Sequence, residues 1–198
     1  MNDRVFKHSH AHKLEDPERL QWLPPADVLL RLHLSRGARV ADIGAGTGYF
    51  SFPLAKEIGS AGEVLAVDLQ QEMLDLLRQK LEQSESPKNI SLHLGTASHL
   101  PLPDNSVDLA FYANIWHELN DQDAALREAR RITLSQGRIA ILDWRSDKDS
   151  PPGPPQAHRI SAETIVNLLQ TNGCHNVACY NVGQYIYLVT AEQPVKQN

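Results

Sequence analysis

From residue 38 onward the chain alternates short β-branched runs with stretches of helical period, and this alternation narrows the choice of fold more than any other feature. ARVADI (38–43) reads as a buried strand. Phe50, Leu54 and Ile58 then predict a helix over about 49–58, where Pro53 is tolerated because first-turn N–H groups have no helical partner. Residues 62–68 predict a second strand, and Met73, Leu74, Leu77 and Leu81 share one face of a helix over about 71–83. Strands over 89–94, 107–113 and 138–143 follow, with a helix near 121–134 whose start is marked by Asn120 and Asp123. A helix over 161–171 precedes two strands near 175–181 and 184–190, too close together to be anything but an antiparallel pair. The pattern predicts an α/β domain: a seven-stranded, mostly parallel sheet with one antiparallel strand and helices on both faces.

Residues 1–37 lie outside the alternation. Asp16-Pro17-Glu18-Arg19 reads as a helix start with Asp as cap and Pro first, and Pro25 as the start of a second helix. These residues are expected to form a short helical lid over the carboxyl edge of the sheet domain (38–191), which a tail (192–198) follows. SDKDSPPGPPQAHR (146–159) must be a loop, long enough to suggest a role.

Ligands of open α/β sheets bind at the carboxyl ends of the strands. VADIGAGTGYF (40–50) puts Gly44, Gly46 and Gly48 there in a G-x-G-x-G spacing, distinct from the G-x-G-x-x-G that carries a pyrophosphate. Asp42, just ahead of the glycines, would repel a pyrophosphate and suits a cation. Asp68 ends the second strand, where a carboxylate can accept both hydroxyls of a ribose. A ligand with a ribose, an adenine and a cationic head but no phosphate satisfies both acids, and S-adenosylmethionine is such a ligand. Taken alone, the glycines would mark only a tight turn and Asp68 a helix cap.

On these residues the chain resembles the class I S-adenosylmethionine (SAM)-dependent methyltransferases, a Rossmann-like family. The resemblance runs over roughly 36–190 and rests on VADIGAGTGYFS, AVDLQQEML, TASHLPLPDNSVD and REARRITLSQGRIAILDW. It implies that Asp42, Gly44, Ala45, Gly46, Gly48 and Asp68 hold the donor, with Leu69 and Met73 near the adenine. Thr96 and Ala97 fall where the family commonly has Asp-Ala, so Thr96 departs from its pattern. Asn114, after the fourth strand, would meet the methionine end. His117 would serve as base or substrate ligand, or else fix the loop that starts the next helix. Asp108 and Asp143 are strand-end acids of either capping or ligand role. The chain also resembles a small bacterial group of stand-alone methyltransferases that share an H-x-H…DPER…WLPP opening, HEL after the fourth strand and a D-W…GPP loop.

His8, His10 and His12 alternate. They face one way on an extended chain, while on a helix His8 and His12 do, and they are read as zinc ligands, as solvated residues, or as lining an acceptor cavity with Trp22, His117 and Arg159. No metal is assigned. The net charge of −5 weighs against a nucleic-acid partner. The polar start, the lack of an apolar span and the two cysteines, Cys174 and Cys179, placed on opposite faces of a strand, suggest a cytoplasmic protein without membrane attachment. The expectation is a transferase moving the sulfonium methyl to a small-molecule acceptor by in-line displacement. A non-catalytic SAM-binding module is the alternative, and an NAD-dependent oxidoreductase is disfavoured by Asp42 and the glycine spacing.

Overall fold

A computed structural model describes residues 6–148 and 153–195. Residues 1–5 of the expected lid, 149–152 of the proline loop and 196–198 of the tail lie outside the described residues. Seven strands form one sheet: β1 (Arg39–Ile43), β2 (Glu63–Asp68), β3 (Ile90–Leu94), β4 (Val107–Ala113), β5 (Thr133–Trp144), β6 (His175–Val182) and β7 (Ile186–Glu192). Their order is β3-β2-β1-β4-β5-β7-β6. Strands β1 to β5 pair in parallel, and β7 runs antiparallel between β5 and β6. The chain therefore leaves β1 in one direction and returns at β4 for the other, which opens a crevice at their carboxyl ends.

Alternation in the strands assigns the faces. Ala41 and Ile43 of β1, with Ile139 and Ile141 of β5, pack towards α5 (Gln122–Ile132) and α6 (Ala162–Thr171). Val40, Phe111 and Leu142 pack on the other face against α2 (Pro25–Leu32) and α3 (Ser51–Ile58). The helix α4 (Gln71–Leu81) lies over β2 and β3. Phe111 is fully buried edge-on to Phe50, at 5.2 Å between ring centres, so truncating it to alanine costs about 3–5 kcal/mol. Among the described residues no helix is long and apolar enough to cross a membrane.

Several boundaries differ from the sequence reading. Asp121, not Asn120, caps α5, accepting from the amide of Ala124 at 2.8 Å. The fifth strand begins at Thr133 rather than Arg138, because residues 134–137 bulge out against the single Asp108 of β4 before regular pairing resumes at Arg138. Cys174 precedes β6 and is buried, while Cys179 is exposed on it.

The N-terminal residues form a 3₁₀ segment (His8–Glu15), a single turn α1 (Arg19–Trp22) and α2. Asp16 does not cap a long helix; its Oδ1 accepts from the amide of Glu18 at 2.9 Å, and the turn ends at Pro24-Pro25, since residues before proline avoid helical geometry. Val28 and Leu32 of α2 are buried. A 3₁₀ segment has three residues per turn, so neither the extended nor the α-helical alignment of His8, His10 and His12 applies to it.

Candidate active site

The glycine loop follows β1 with Gly44, Gly46 and Gly48 at φ of 74°, 54° and 90°, a region that side chains rarely adopt. Space argues the same way at two of them. A Cβ on Gly44 would stand 2.6 Å from Cγ2 of Ile115, and one on Gly48 2.5 Å from Cδ1 of Leu77. The amides of Gly44 and Ala45 donate to the carbonyl of Val67, and the amide of Gly46 donates to Oδ2 of Asp68 at 2.8 Å. The loop is thus stitched to the end of β2.

Asp42 lies under this loop, 1% exposed, and accepts from the Ser51 hydroxyl at 2.6 Å. Burial pushes its carboxyl up to about 7; Ser51 opposes the shift and the charge of Asp68 adds to it. Burial also raises Asp68, against the amides of Gln70, Gly46 and Leu69. Each oxygen of Asp68 accepts from one of these backbone amides, Gly46 on one and Gln70, at 2.9 Å, on the other. Met73 is buried below, whereas Leu69 is half exposed. Thr96 is exposed with its hydroxyl 3.3 Å from that of Ser98, and Ala97 packs against the core.

Asn114 continues β4 with φ of 57°, a left-handed geometry that asparagine tolerates better than most residues. Its amide donates to the carbonyl of Leu142 at 2.7 Å, while its buried Oδ1 accepts from nothing among the described residues. A buried acceptor left unsatisfied costs about 1–3 kcal/mol.

The turn Trp116–Glu118 comes next. The backbone amide of His117 donates to Oδ2 of Asp143 at 2.9 Å, and its Nδ1 lies 2.7 Å from Oδ1 of the same carboxylate. Nε2 faces Oε1 of Glu118 at 3.8 Å. Burial works against the imidazolium, yet the hydrogen bond and charge of Asp143, with Glu118, outweigh it and raise His117 above its ordinary range; Arg159 opposes them. Burial pushes the Glu118 carboxyl up to about 7, against the Phe6 amide and His117. Asp108 is elsewhere. As the second residue of β4 it sits at the opposite edge of the sheet, where it accepts from the amide of Arg39 at 2.8 Å.

Residues 6–15 run across the crevice as a strap. The Phe6 amide donates to Oε2 of Glu118 at 3.1 Å. Gln70 then pairs with the strap twice, donating to the Phe6 carbonyl at 2.8 Å and accepting from the His8 amide at 3.1 Å. Leu14 faces Gly46, and Glu15 meets Lys80 at 2.6 Å and the Thr47 hydroxyl. Behind the strap Arg19 is buried, its guanidinium 3.9 Å from the centre of the Tyr49 ring.

The sequence-predicted acceptor residues do not all converge. His8, His10 and His12 are exposed, with His10 edge-on to Phe6 and His12. Trp22 packs on Trp144 at 5.1 Å, and the Arg159 guanidinium stands 5.7 Å from the Trp144 ring centre while donating to backbone carbonyls of Arg145, Lys148 and Pro154. Among the described residues no three His, Cys, Asp or Glu side chains are grouped so as to hold a metal. Ser51, Gln70, Lys80 and Glu118 are site residues that sequence reasoning missed. Ser51, Gln70 and Glu118 stood within quoted motifs, at the end of VADIGAGTGYFS, inside AVDLQQEML and in the middle of HEL, but carried no signal of their own there.

Residues 41–141 match the model of a methyltransferase-domain family. The fold is that of a SAM-dependent methyltransferase from Aquifex aeolicus, at a TM-score of 0.88 and 33% identity over 95% of this chain and 99% of that one. The chain belongs to the class I SAM-dependent methyltransferases. A demethylmenaquinone methyltransferase of Lactiplantibacillus plantarum is 35% identical over 63% of this methyltransferase chain and 52% of its own. An uncharacterized methyltransferase of Mycobacterium tuberculosis is 38% identical over 66% of this chain and 45% of its own. The chain spans about half the length of these curated relatives. SAM is the cofactor that this methyltransferase family uses.

Proposed function

We propose that this protein transfers the sulfonium methyl of SAM to a small-molecule acceptor by in-line displacement. The observation that carries the reading is the unsatisfied Oδ1 of Asn114 beside a glycine loop bracketed by Asp42 and Asp68. A buried acceptor without a donor among the described residues, next to acids, fits a ligand that brings N–H groups and positive charge.

In this reading Asn114 and the loop residues Gly44, Ala45, Gly46 and Gly48 receive the methionine end, and Asp42 supplies negative charge from beneath. Asp68 keeps lone pairs for the ribose hydroxyls, each of its oxygens having room for a second hydrogen bond. Leu69, Met73, Thr96 and Ala97 border the adenine. When bound, SAM supplies a methyl group already activated on a cationic sulfur. The chain's own part is to orient the reactants and exclude water, which is the work of the strap. Trp22, Trp144, His117 and Arg159 border the acceptor side, and the exposed His8, His10 and His12 meet an acceptor only if it extends along the strap.

The test is a methyl-transfer assay with isotope-labelled SAM against small hydroxyl, amine and thiol acceptors, with demethylmenaquinol, suggested by the relative's name, among them. Label appearing in an acceptor supports the proposal. Donor binding without transfer to any of them would instead favour a non-catalytic SAM-binding module.

A further inference from the structure

Resting on the methyltransferase reading, we infer that Glu118 is the group that removes the acceptor's proton, and that the acceptor is a weakly acidic hydroxyl, a phenol or an enol. The geometry divides the labour between two neighbouring residues. Asp143 takes the Nδ1 side of His117 at 2.7 Å and also holds its backbone amide, so the ring is fixed in place. Nε2 is turned to Glu118 at 3.8 Å. Two carboxylates flanking His117 favour its imidazolium, the form that has donors on both nitrogens and no lone pair with which to accept a proton. Glu118 has that capacity. Its side chain is 14% exposed and it lies where the strap, through the Phe6 amide, crosses the crevice.

Among the described residues, the groups facing Glu118 include His117 on its own turn, Asp143 on β5, Asp68 on β2 and the Phe6 amide on the strap, with Arg159 acting on His117. The two acids make its carboxylate a stronger base, while the imidazolium sits where it stabilises an acceptor oxygen turning anionic. A cationic amine would meet that imidazolium and Arg159. A thiolate needs no proton removed. A neutral phenol or enol, which gains negative charge as its proton leaves, is the acceptor both groups suit.

The step balances. The acceptor oxygen forms a bond to the methyl carbon, the carbon–sulfur bond breaks with its electron pair left on sulfur, and the hydroxyl proton passes to the Glu118 carboxylate. The positive charge of the donor and the negative charge of Glu118 disappear together, leaving a neutral thioether, a methyl ether and a carboxylic acid.

The experiment pairs a titration with turnover. In the full-length protein saturated with S-adenosylhomocysteine, carbon-13 NMR of the Glu118 carboxyl should show it titrating near 7, with the His117 midpoint displaced upward from its ordinary value. With 1,4-naphthohydroquinone as the hydroxyl probe, transfer by the parent should rise with pH through the same midpoint. Glu118→Gln should lower kcat at least 100-fold with KM and S-adenosylhomocysteine affinity within threefold of the parent, and Glu118→Asp should restore part of the rate. A Glu118 carboxyl that is ionised throughout pH 5.5–8.5, or undiminished turnover in Glu118→Gln, would overturn the inference. So would a parent that binds SAM by calorimetry but leaves the probe unmethylated; that result spares the donor assignment, whereas absence of SAM binding removes the reading beneath both. If Glu118→Gln fails to fold, the parent titration and the Glu118→Asp profile still decide.

Discussion

The backbone amide of Gly46 donates to Oδ2 of Asp68 at 2.8 Å, tying the glycine loop after β1 to the acid that ends β2. Asp68 therefore has two tasks: it shapes the loop and, in the proposed function, it receives the ribose. Replacing it with alanine should weaken SAM binding by about 1.5–3 kcal/mol, the usual worth of hydrogen bonds to a charged group. Calorimetry measures the loss, and circular dichroism should show the fold retained. Unchanged affinity would leave Asp68 with its loop-shaping task alone.

The strap should control how fast the donor product leaves. Gln70 makes two hydrogen bonds to it, at 2.8 and 3.1 Å, together worth about 1–3 kcal/mol, so Gln70→Ala should speed release of S-adenosylhomocysteine roughly 5- to 150-fold. Lys80 and Glu15 are both partly exposed, and such pairs contribute about 1 kcal/mol or less, so Lys80→Ala should change the rate less than about sixfold. Stopped-flow displacement reads both. Identical rates in parent and both variants would mean that the strap does not gate the donor.

Much of this was legible in the sequence, for reasons that can be traced. The sheet followed from β-branched runs such as residues 63–68, because a strand buried on both faces has little choice of side chain. The glycine loop was legible because its backbone geometry excludes other residues. Gln70, Lys80 and Ser51 were not, being ordinary helix or helix-entry residues until the topology brings the strap, the loop and β1 against them. Asp108 misled for the complementary reason: an acid at either end of a strand looks the same in one dimension, and only the chain direction of β4 places it away from the crevice. The relative placement of His8, His10 and His12 was not legible because neither the extended nor the α-helical spacing applies to a 3₁₀ turn.

Asp42 predicts a pH signature. Its folded value near 7 lies above the ordinary carboxylate value of 3.8, so between these limits the folded state holds more protons than the unfolded one. The contribution of Asp42 to stability therefore falls as pH rises through this window and levels off above it. Asp42→Asn keeps an acceptor for Ser51 without the buried charge. Its melting temperature relative to the parent should accordingly climb from pH 4 to 7 and then stay constant. A difference that does not vary with pH would show that Asp42 is ionised throughout. In the parent, binding of the cationic donor should tighten from pH 6 to 8 as the carboxylate ionises, and Asp42→Asn should lack that dependence.

The central claim is that the crevice bounded by Asp42, the glycine loop, Asp68 and Asn114 takes a ribose-bearing cation and not a dinucleotide. Isothermal titration calorimetry of the purified protein with SAM, S-adenosylhomocysteine and NAD tests it most directly. The account predicts saturable binding of the first two, weakened by Asp68→Ala, and none of NAD. Saturable binding of NAD with no heat from either sulfur compound would contradict it.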